Sequence, residues 1–255
     1  MSLPQSTNHV VVFGVKLSIL GMEETVEYLV SSGSAGRPVI REDLNAFKVC
    51  MKEDSFDVKD ALNNADIVNA DGMSVVYAVK LLKGLKIPRV TGCDLFARLL
   101  AESHKREKRV FLLGAKEEVV RALTHKLAES YSAQLIAGFR NGYFQRAEWG
   151  QIIEAIDTSN ADFLFIGTPS PQKEEFLNYA RTKIKRHIVI MGVGGSFDVL
   201  SGEIRRAPTW MQNYGLEWLF RLAQEPRRMW RRYLLSNSKF ALLLLQEKLQ
   251  QWISK

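Results

Sequence analysis

Short apolar runs that alternate with helical patterns constrain the fold of this chain more than any other feature. The runs have the length and composition of buried strands. They occupy residues 10–13, 38–40, 67–69, 109–113, 135–138, 163–167 and 188–191. Between them, apolar residues recur at helical spacing, as at Val119, Leu123 and Leu127. The alternation predicts an α/β fold, with a Rossmann-like, mostly parallel sheet and helices on both faces.

Two of the predicted strands end in glycine just before a helical pattern, at Gly114 and Gly167. Such turns place loops at the carboxyl edge of a parallel sheet, which is where ligands usually bind in this kind of fold. We therefore expect the functional site in those loops.

The length and composition of the chain fit one sizeable core and a smaller appendage. Its 255 residues are 46% hydrophobic, which is enough for a folded protein. No run reaches the roughly 18 uninterrupted apolar residues of a membrane-spanning helix, and residues 1–8 lack the pattern of a signal peptide. Cys50 and Cys93 are the only thiols, which fits a reducing compartment. We expect a cytoplasmic protein without a transmembrane anchor.

The C-terminal part of the chain carries a concentrated positive charge. Residues 205–233 hold seven arginines and two glutamates, whereas the whole chain has a net charge of only +7. The arginines are Arg205, Arg206, Arg221, Arg227, Arg228, Arg231 and Arg232. We predict a core at residues 1–202 and a basic, aromatic-rich helical appendage at residues 203–255. Such an appendage would meet a diphosphate, a nucleic acid or an acidic membrane surface.

Seven sequence strings, taken together, carry a resemblance to a known family. They are NADG (69–72), RVTGCDL (89–95), VFLLGA (110–115), NGYF (141–144), SPQKEEF (170–176), GVGGSFDVLSGEIRRAP (192–208) and GLEWLFRLAQEPRRMWRRY (215–233). In this order they resemble the WecG/TagA/CpsF glycosyltransferases over most of the chain. The resemblance implies inverting transfer of a hexose or N-acetylhexosamine from a UDP-sugar to a polyprenyl-diphosphate-linked sugar. It also implies a place in bacterial surface polysaccharide synthesis at the inner face of the plasma membrane, without a metal or another cofactor.

Asp71 is the candidate catalytic base. An inverting transfer needs a base to take the proton of the acceptor hydroxyl, and groups that stabilise the departing diphosphate. Asp71 follows the run at 67–69 and precedes a helical pattern at 73–82, and the resemblance implies that it is the base. The alternative is that Asp71 only caps that helix. Asp43 is a rival base that we rank below Asp71.

Further polar residues are candidates for binding the donor or the acceptor. The resemblance implies this role for Asn45, although an asparagine here could equally cap a helix. Asn69 is similarly ambiguous, because asparagine in a turn often bonds only its own backbone. The family commonly has threonine two positions before Asn45, where this chain has Asp43. An ionised carboxylate accepts hydrogen bonds from sugar hydroxyls, whereas threonine also donates, so this departure bears on sugar specificity.

The loop at residues 167–174 is similar to the family's Pro-Lys-Gln-Glu string, with Gln172 and Lys173 in exchanged order. A proline at the first helical position leaves free amides and a positive helix end for an anion, to which a lysine adds charge. The resemblance therefore implies that Gln172 and Lys173 bind the donor. The alternative is a capped helix with a solvated lysine.

The glycine-rich loop at residues 192–198 is a candidate nucleoside site. By the resemblance, Gly194 permits close approach of the backbone and Asp198 accepts hydrogen bonds, while Gly114 either lines the nucleotide pocket or only ends a strand. The loop is a poor dinucleotide fingerprint, because Phe197 stands where the third glycine is needed. A plain tight turn is the alternative.

The arginines of the appendage fit two kinds of anion. Arg227 and Arg231 lie one helical turn apart, as do Arg228 and Arg232, so each pair shares a face. Guanidinium groups suit phosphate oxygens, and a basic amphipathic helix with tryptophans suits a membrane surface. The alternative is a solvated helix with its tryptophans packed inward.

Two other functions compete with the transferase. A nucleic-acid-binding module would use the same basic tail, and an NAD-dependent oxidoreductase or epimerase would act on nucleotide sugars. The sheet-edge strings favour the transferase, with no nucleic acid as partner. A homo-oligomer is left open.

Overall fold

The computed structural model describes residues 9–33 and 36–253, apart from the side chains of Arg228 and Arg232. Its strands are β1 (His9–Val12), β2 (Val15–Ser18), β3 (Pro38–Leu44), β4 (Ile67–Ala70), β5 (Val110–Gly114), β6 (Ile136–Arg140), β7 (Phe163–Gly167) and β8 (Ile188–Gly192). Strands β3 to β8 form one sheet in the order β4-β3-β8-β7-β5-β6, and every neighbouring pair is parallel. The predicted parallel α/β sheet is confirmed.

Twelve α-helices are found in the described part of the chain. They are α1 (Met22–Ser31), α2 (Ala46–Asp54), α3 (Phe56–Asn63), α4 (Met73–Lys83), α5 (Gly92–Lys105), α6 (Glu117–Ser130), α7 (Trp149–Thr158), α8 (Gln172–Lys183), α9 (Ser196–Ser201), α10 (Thr209–Asn213), α11 (Glu217–Gln224) and α12 (Pro226–Ile253). Short 3-10 turns occupy Ala133–Leu135 and Arg146–Glu148. None of these helices is both long enough and apolar enough to cross a bilayer.

Both faces of the sheet are buried under helices. Successive residues of β7 point to opposite sides, so Phe165 packs against Phe96 of α5 at a ring-centroid distance of 4.7 Å. Its neighbour Ile166 joins the cluster formed by α7 and α8 on the other side. Helices α1, α5, α6 and α9 cover the first face, and α3, α7 and α8 cover the second. This two-sided burial explains why the strands are continuously apolar.

The predicted strand at residues 10–13 is not part of the main sheet. Strand β1 lies outside the main sheet and pairs antiparallel with β2, which the sequence reasoning missed. Phe13 and Gly14 join the two strands with φ values of 51° and 68°, as a type I′ turn requires. Burial alternates along both strands, but four residues in each are too few for the sequence to predict the ribbon.

Strand β3 is longer than predicted, because it continues from the apolar start through three charged residues. Arg41, Glu42 and Asp43 lie beyond the predicted run at residues 38–40, yet all three are buried within the strand. Burying charges is unfavourable unless each finds partners. The partners come from α2, β4 and α8, which are distant in sequence, so the pattern of the strand alone could not reveal them.

The C-terminal helix α12 is packed onto the rest of the protein. It lies along α2 and touches α4. Phe240 packs against the ring of Phe13 at 5.4 Å, and the Phe13 amide donates to Glu247 Oε2 at 2.8 Å. The predicted helical appendage is therefore present and fixed to the ribbon and to α2.

We expect Gly114→Ala to destabilise the protein by roughly 2–4 kcal/mol. Gly114 has a φ of 133°, and a Cβ there would lie 2.6 Å from the carbonyl carbon of Gly167. The matched control is Gly150→Ala in α7, where a Cβ meets nothing within 4 Å, and which we expect to be neutral or stabilising by up to about 1 kcal/mol. Urea unfolding measures both. Equal stability of the two variants would contradict the prediction.

Candidate active site

A cleft of about 730 Å³ lies at the carboxyl ends of β3, β4 and β8. Its floor comes from the loops that follow these strands and from the loop after β7, which is one of the two loops where the sequence predicted the site. Residues 204–207, the turn at residues 214–215 and helices α11 and α12 form a roof over it. The predicted site residues that line it are Asp43, Asn45, Asp71, Lys173, Gly194, Asp198, Arg205, Arg206 and Arg221. The cleft has the size of a small-molecule site.

The Asp71 carboxylate is held at the cleft by a single backbone hydrogen bond. Its Oδ1 accepts from the amide of Gly92, the first residue of α5, at 2.9 Å. The N-cap of α4 is Gly72, and no side chain caps that helix. The interpretation of Asp71 as the cap of α4 is therefore wrong. Among the described residues, none donates a hydrogen bond to Oδ2, so this oxygen is available to a ligand.

The pKa of Asp71 is raised above its usual range. Burial raises it, and the neighbouring negative charge of Asp43 adds to this effect. The Gly92 amide and the charges of Arg41 and Arg89 oppose the shift but do not cancel it. Asp71 is thus a stronger proton acceptor than an ordinary aspartate.

Asp43 behaves in the opposite way. Burial alone would raise its pKa, but the charges of Lys48, Lys173 and Arg41 outweigh burial and hold the pKa well below the usual range. The Asp43 carboxylate therefore stays ionised. Asp43 and Asp71 line the same cleft, yet their surroundings shift their pKa values in opposite directions.

A buried cluster of five charged side chains supports the floor of the cleft. Its members are Glu42, Asp43, Lys48, Lys173 and Glu174. The Lys48 ammonium lies 3.1 Å from Asp43 Oδ1 and 3.3 Å from Glu174 Oε1, and it also contacts Glu42. Burial would lower the Lys48 pKa, but the three carboxylates raise it well above normal. The cluster joins β3, α2 and α8 through charge pairs.

Lys173 belongs to this cluster as well as to the cleft. Its Nζ lies 3.1 Å from Glu174 Oε1 and 3.9 Å from Asp43 Oδ1. Its alkyl chain crosses Gly192, where an added Cβ would lie 2.5 Å from the Lys173 Cδ. The alternative of a solvated lysine is therefore wrong. Gln172, its neighbour at the start of α8, is not among the lining residues.

Arg41 is buried beneath the turn that presents Asp71. Its Nε donates to Asn69 Oδ1 at 3.0 Å, and its Nη2 donates to the Val90 carbonyl at 3.3 Å. Asn69 is itself buried, and its Nδ2 donates to Thr25 Oγ1 at 3.2 Å. This placement corrects the prediction that Asn69 contacts donor or acceptor, because its amide is used inside the fold.

Asn45 has the capping role that was left as an alternative. Its Oδ1 accepts from the Lys48 amide at 3.0 Å, which makes it the N-cap of α2. Its Nδ2 donates to Asp43 Oδ2 at 3.1 Å. Asn45 also lines the cleft, so its contact with a ligand stays a prediction.

The glycine-rich loop after β8 lies under the roof. Gly194 adopts a φ of 50°, and the guanidinium of Arg221 leaves no room for a Cβ on Gly195. Phe197 is buried against Phe96, with ring centroids 5.5 Å apart, which is why a phenylalanine stands in the third glycine position. Gly114 serves the packing of β5 on β7 and does not line the cleft.

The C-terminal arginines are divided between the cleft and the opposite surface. Among the described residues, no carboxylate lies within ion-pair distance of Arg205 or Arg221 in the cleft. Arg206 is paired with Asp94, with Nη2 and Oδ2 2.7 Å apart, and this raises the Arg206 pKa.

Two more of these arginines face away from the cleft. Arg227 and Arg231 are exposed on the outside of α12, with the Arg231 guanidinium 5.2 Å from the ring centroid of Trp230. The side chains of Arg228 and Arg232 lie outside the described part of the structure. Arg205, Arg206 and Arg221 therefore lie at the cleft, whereas Arg227 and Arg231 lie on the outer surface.

Arg89 is a site residue that the sequence reasoning did not single out. Its Nε donates to the Asp71 carbonyl at 2.7 Å and its Nη1 to the Gln212 carbonyl at 2.8 Å. It also pairs with Glu217 of α11. Arg89 begins the string RVTGCDL (89–95), which could have marked it as a candidate. Its contacts with Gln212 and Glu217, however, depend on the tertiary fold.

Sequence comparison identifies proteins that this chain resembles. A family model described as "Glycosyl transferase WecG/TagA/CpsF family" matches residues 10–254. The chain is 36% identical over 203 residues to N-acetylglucosaminyldiphosphoundecaprenol N-acetyl-beta-D-mannosaminyltransferase of Bacillus subtilis (strain 168). That match covers 80% of this chain and 76% of the relative.

We expect Lys48→Met to destabilise the protein by about 3–5 kcal/mol, because it leaves buried carboxylates without their shared cation. The matched control is Lys116→Met, whose ion pair with Glu118 has side chains that are 63% and 71% exposed. Removing such a pair costs about 1 kcal/mol or less. Urea unfolding at neutral pH measures both. Similar losses for the two variants would show that the cluster does not stabilise the fold.

Proposed function

Because the chain belongs to the WecG/TagA/CpsF family of glycosyltransferases, we propose that it moves a hexose or N-acetylhexosamine from a UDP-sugar to a polyprenyl-diphosphate-linked sugar. The relative from Bacillus subtilis is named for transfer to an N-acetylglucosaminyl-diphosphoundecaprenol, which supports this class of acceptor. The product would serve bacterial surface polysaccharide synthesis. The observation that carries the proposal is the Asp71 carboxylate in a cleft whose roof supplies Arg205 and Arg221.

Asp71 is the proposed general base. The acceptor hydroxyl attacks the anomeric carbon of the donor while Asp71 Oδ2 takes the hydroxyl proton. The bond between that carbon and the UDP oxygen breaks, and attack from the opposite side inverts the configuration. A base with a pKa raised by burial suits this step, because its basicity lies closer to neutral pH. Asp43 fits the role less well, since Lys48 and Lys173 hold it ionised.

Asp43 and Asn45 are proposed to bind sugar hydroxyls. The Asp43 carboxylate remains an acceptor at neutral pH, and Asn45 keeps a fixed orientation because its Oδ1 caps α2. This pair would favour a sugar that presents hydroxyl or amide donors at this edge of the cleft. The Lys173 ammonium lies 3.9 Å from Asp43 Oδ1 and also lines the cleft. It is proposed to contact an oxygen of the UDP-sugar.

Arg205 and Arg221 are proposed to stabilise the departing diphosphate. Arg221 lies over Gly195, and the glycines of this loop allow a phosphate to approach the backbone. Guanidinium groups supply the charge stabilisation that many transferases obtain from a metal ion. The described residues contain no group of three or more histidine, cysteine, aspartate or glutamate side chains arranged for a metal. We propose metal-independent transfer, for which turnover persists in EDTA.

The outer face of α12 is proposed to rest on the anionic inner surface of the membrane. Its exposed arginines and large apolar residues are Arg227, Trp230, Arg231, Leu234, Leu235, Leu242, Leu245, Leu249, Trp252 and Ile253, and Ser238, Ala241 and Lys248 are exposed beside them. An amphipathic helix with arginines and tryptophan binds the interface between lipid and water without spanning it. A lipid-linked acceptor would then meet the enzyme at that surface, in the cytoplasm.

We expect Asp71→Asn to lower kcat by roughly 100- to 10,000-fold without unfolding the protein, because the amide cannot accept the proton. The assay incubates the protein with UDP-sugars and a short-chain prenyl-diphosphate-sugar acceptor and follows the product by mass. The control is Asp54→Asn on α2, whose side chain is exposed.

The pH profile gives a second readout for the same prediction. The base works only when deprotonated, so activity falls as the pH drops through the Asp71 pKa, which burial raises above that of an ordinary aspartate. The acid limb of kcat/KM should therefore lie above that value. Undiminished turnover of Asp71→Asn would refute the assignment of the base.

We expect the double variant Arg227→Glu/Arg231→Glu to lose flotation with vesicles that contain anionic lipid. Each basic residue near such a surface contributes about 1 kcal/mol, so removing two lowers partitioning at least roughly 30-fold. The control is Lys59→Glu/Lys183→Glu, which makes the same charge change on α3 and α8. Equal loss in both variants would point to overall charge instead of the outer face of α12.

A further inference from the structure

A line of apolar side chains runs along α4 from the cleft to the protein surface. Met73 lines the cleft, and Tyr77, one turn further on, lines it while remaining 58% exposed. Leu81 follows after another turn, and Leu85 lies just beyond the helix, with exposures of 53% and 50%. Residues four apart lie on the same side of a helix. We name Met73, Tyr77, Leu81 and Leu85 the α4 track.

The α4 track begins next to the proposed base. Met73 is two residues beyond Asp71, and it touches the turn that leads into the roof, where a Cβ on Gly215 would lie 2.8 Å from the Met73 Cβ. Tyr214 in the same turn is exposed and lines the cleft. The mouth of the cleft on this side is therefore built from Met73, Tyr77 and Tyr214, which are apolar or aromatic.

The outer end of the track continues onto α12. Lys248 Nζ donates to the Leu81 carbonyl at 2.9 Å, which sets the two helices side by side. Leu245 and Trp252 flank Lys248 at helical spacing and are exposed. The α4 track thus ends beside the part of α12 that we place against the membrane.

We infer that the α4 track binds the prenyl chain of the acceptor. The inference rests on the proposed function, because it places the acceptor hydroxyl at Asp71 and the diphosphate near the roof arginines. A chain attached to that diphosphate needs apolar surface where it leaves the cleft. The other rim carries Arg205, Arg206 and Glu225, whereas the α4 track offers apolar side chains over about 12 Å of helix from Met73 to Leu81, with Leu85 just beyond it.

The test compares the binding of geranylgeranyl diphosphate and inorganic diphosphate by calorimetry, without detergent. The wild-type protein should bind the prenyl compound at least about tenfold more tightly. Leu81→Asn/Leu85→Asn should lose about tenfold or more in affinity for the prenyl compound and keep its affinity for inorganic diphosphate. Both side chains are exposed, so the change should leave the fold intact. The control is Phe56→Asn at the start of α3, which is 79% exposed and should bind as the wild type does.

Three outcomes would overturn the inference. The first is unchanged binding of geranylgeranyl diphosphate by the double variant. The second is a variant that keeps this binding but no longer floats with vesicles, since the track would then contact the bilayer itself. The third is a wild-type dimer that the double variant does not form, since a second copy of the chain would then cover the track. If the wild-type protein transfers no sugar but its binding of the prenyl compound still depends on Leu81 and Leu85, the proposed function is wrong and this inference stands.

Discussion

The contact of the Lys48 ammonium with three carboxylates is the interaction on which the site depends. It joins Glu42 and Asp43 of β3 to Glu174 of α8 through a lysine of α2. Buried charges are costly when alone, so each group requires the others. The cation also keeps Asp43 ionised, and that negative charge contributes to the raised pKa of Asp71. The ion-pair cluster that joins β3, α2 and α8 therefore also influences the pKa values of Asp43 and Asp71.

The cleft has a floor half, where Asp43 and Asp71 lie beside Lys48 and Lys173, and a roof half, where Arg205 and Arg221 lie beside Glu217 and Glu225. Asp43 and Asp71 give the floor carboxylates, one with a lowered and one with a raised pKa. Arg205 and Arg221 give the roof positive charge. Neutral hydroxyls suit the first half and phosphate oxygens suit the second, so a substrate with a sugar at one end and a diphosphate at the other would bind in one direction. This division agrees with the activity proposed from the family.

The sequence predicted the parallel sheet well, because strands buried on both sides are continuously apolar. It ended β3 too early, since the partners of Arg41, Glu42 and Asp43 come from other elements. The strings located the floor loops, including the turn that holds Asp71. They could not show that its carboxylate bonds the Gly92 amide, 21 positions later. Which arginines enter the cleft depends on how the segment before α10, α11 and α12 pack over the floor, and that is a property of tertiary packing.

Arg89 connects the floor and the roof directly. One guanidinium binds the Asp71 carbonyl, the Gln212 carbonyl and the Glu217 carboxylate. If α10 and α11 lift to admit a lipid-linked substrate, the same movement loosens the backbone that carries Asp71. The carboxylate would then be aligned only after the helices settle again. Such mechanical linkage would make proton abstraction wait for closure and limit hydrolysis of the donor by water while the cleft is open.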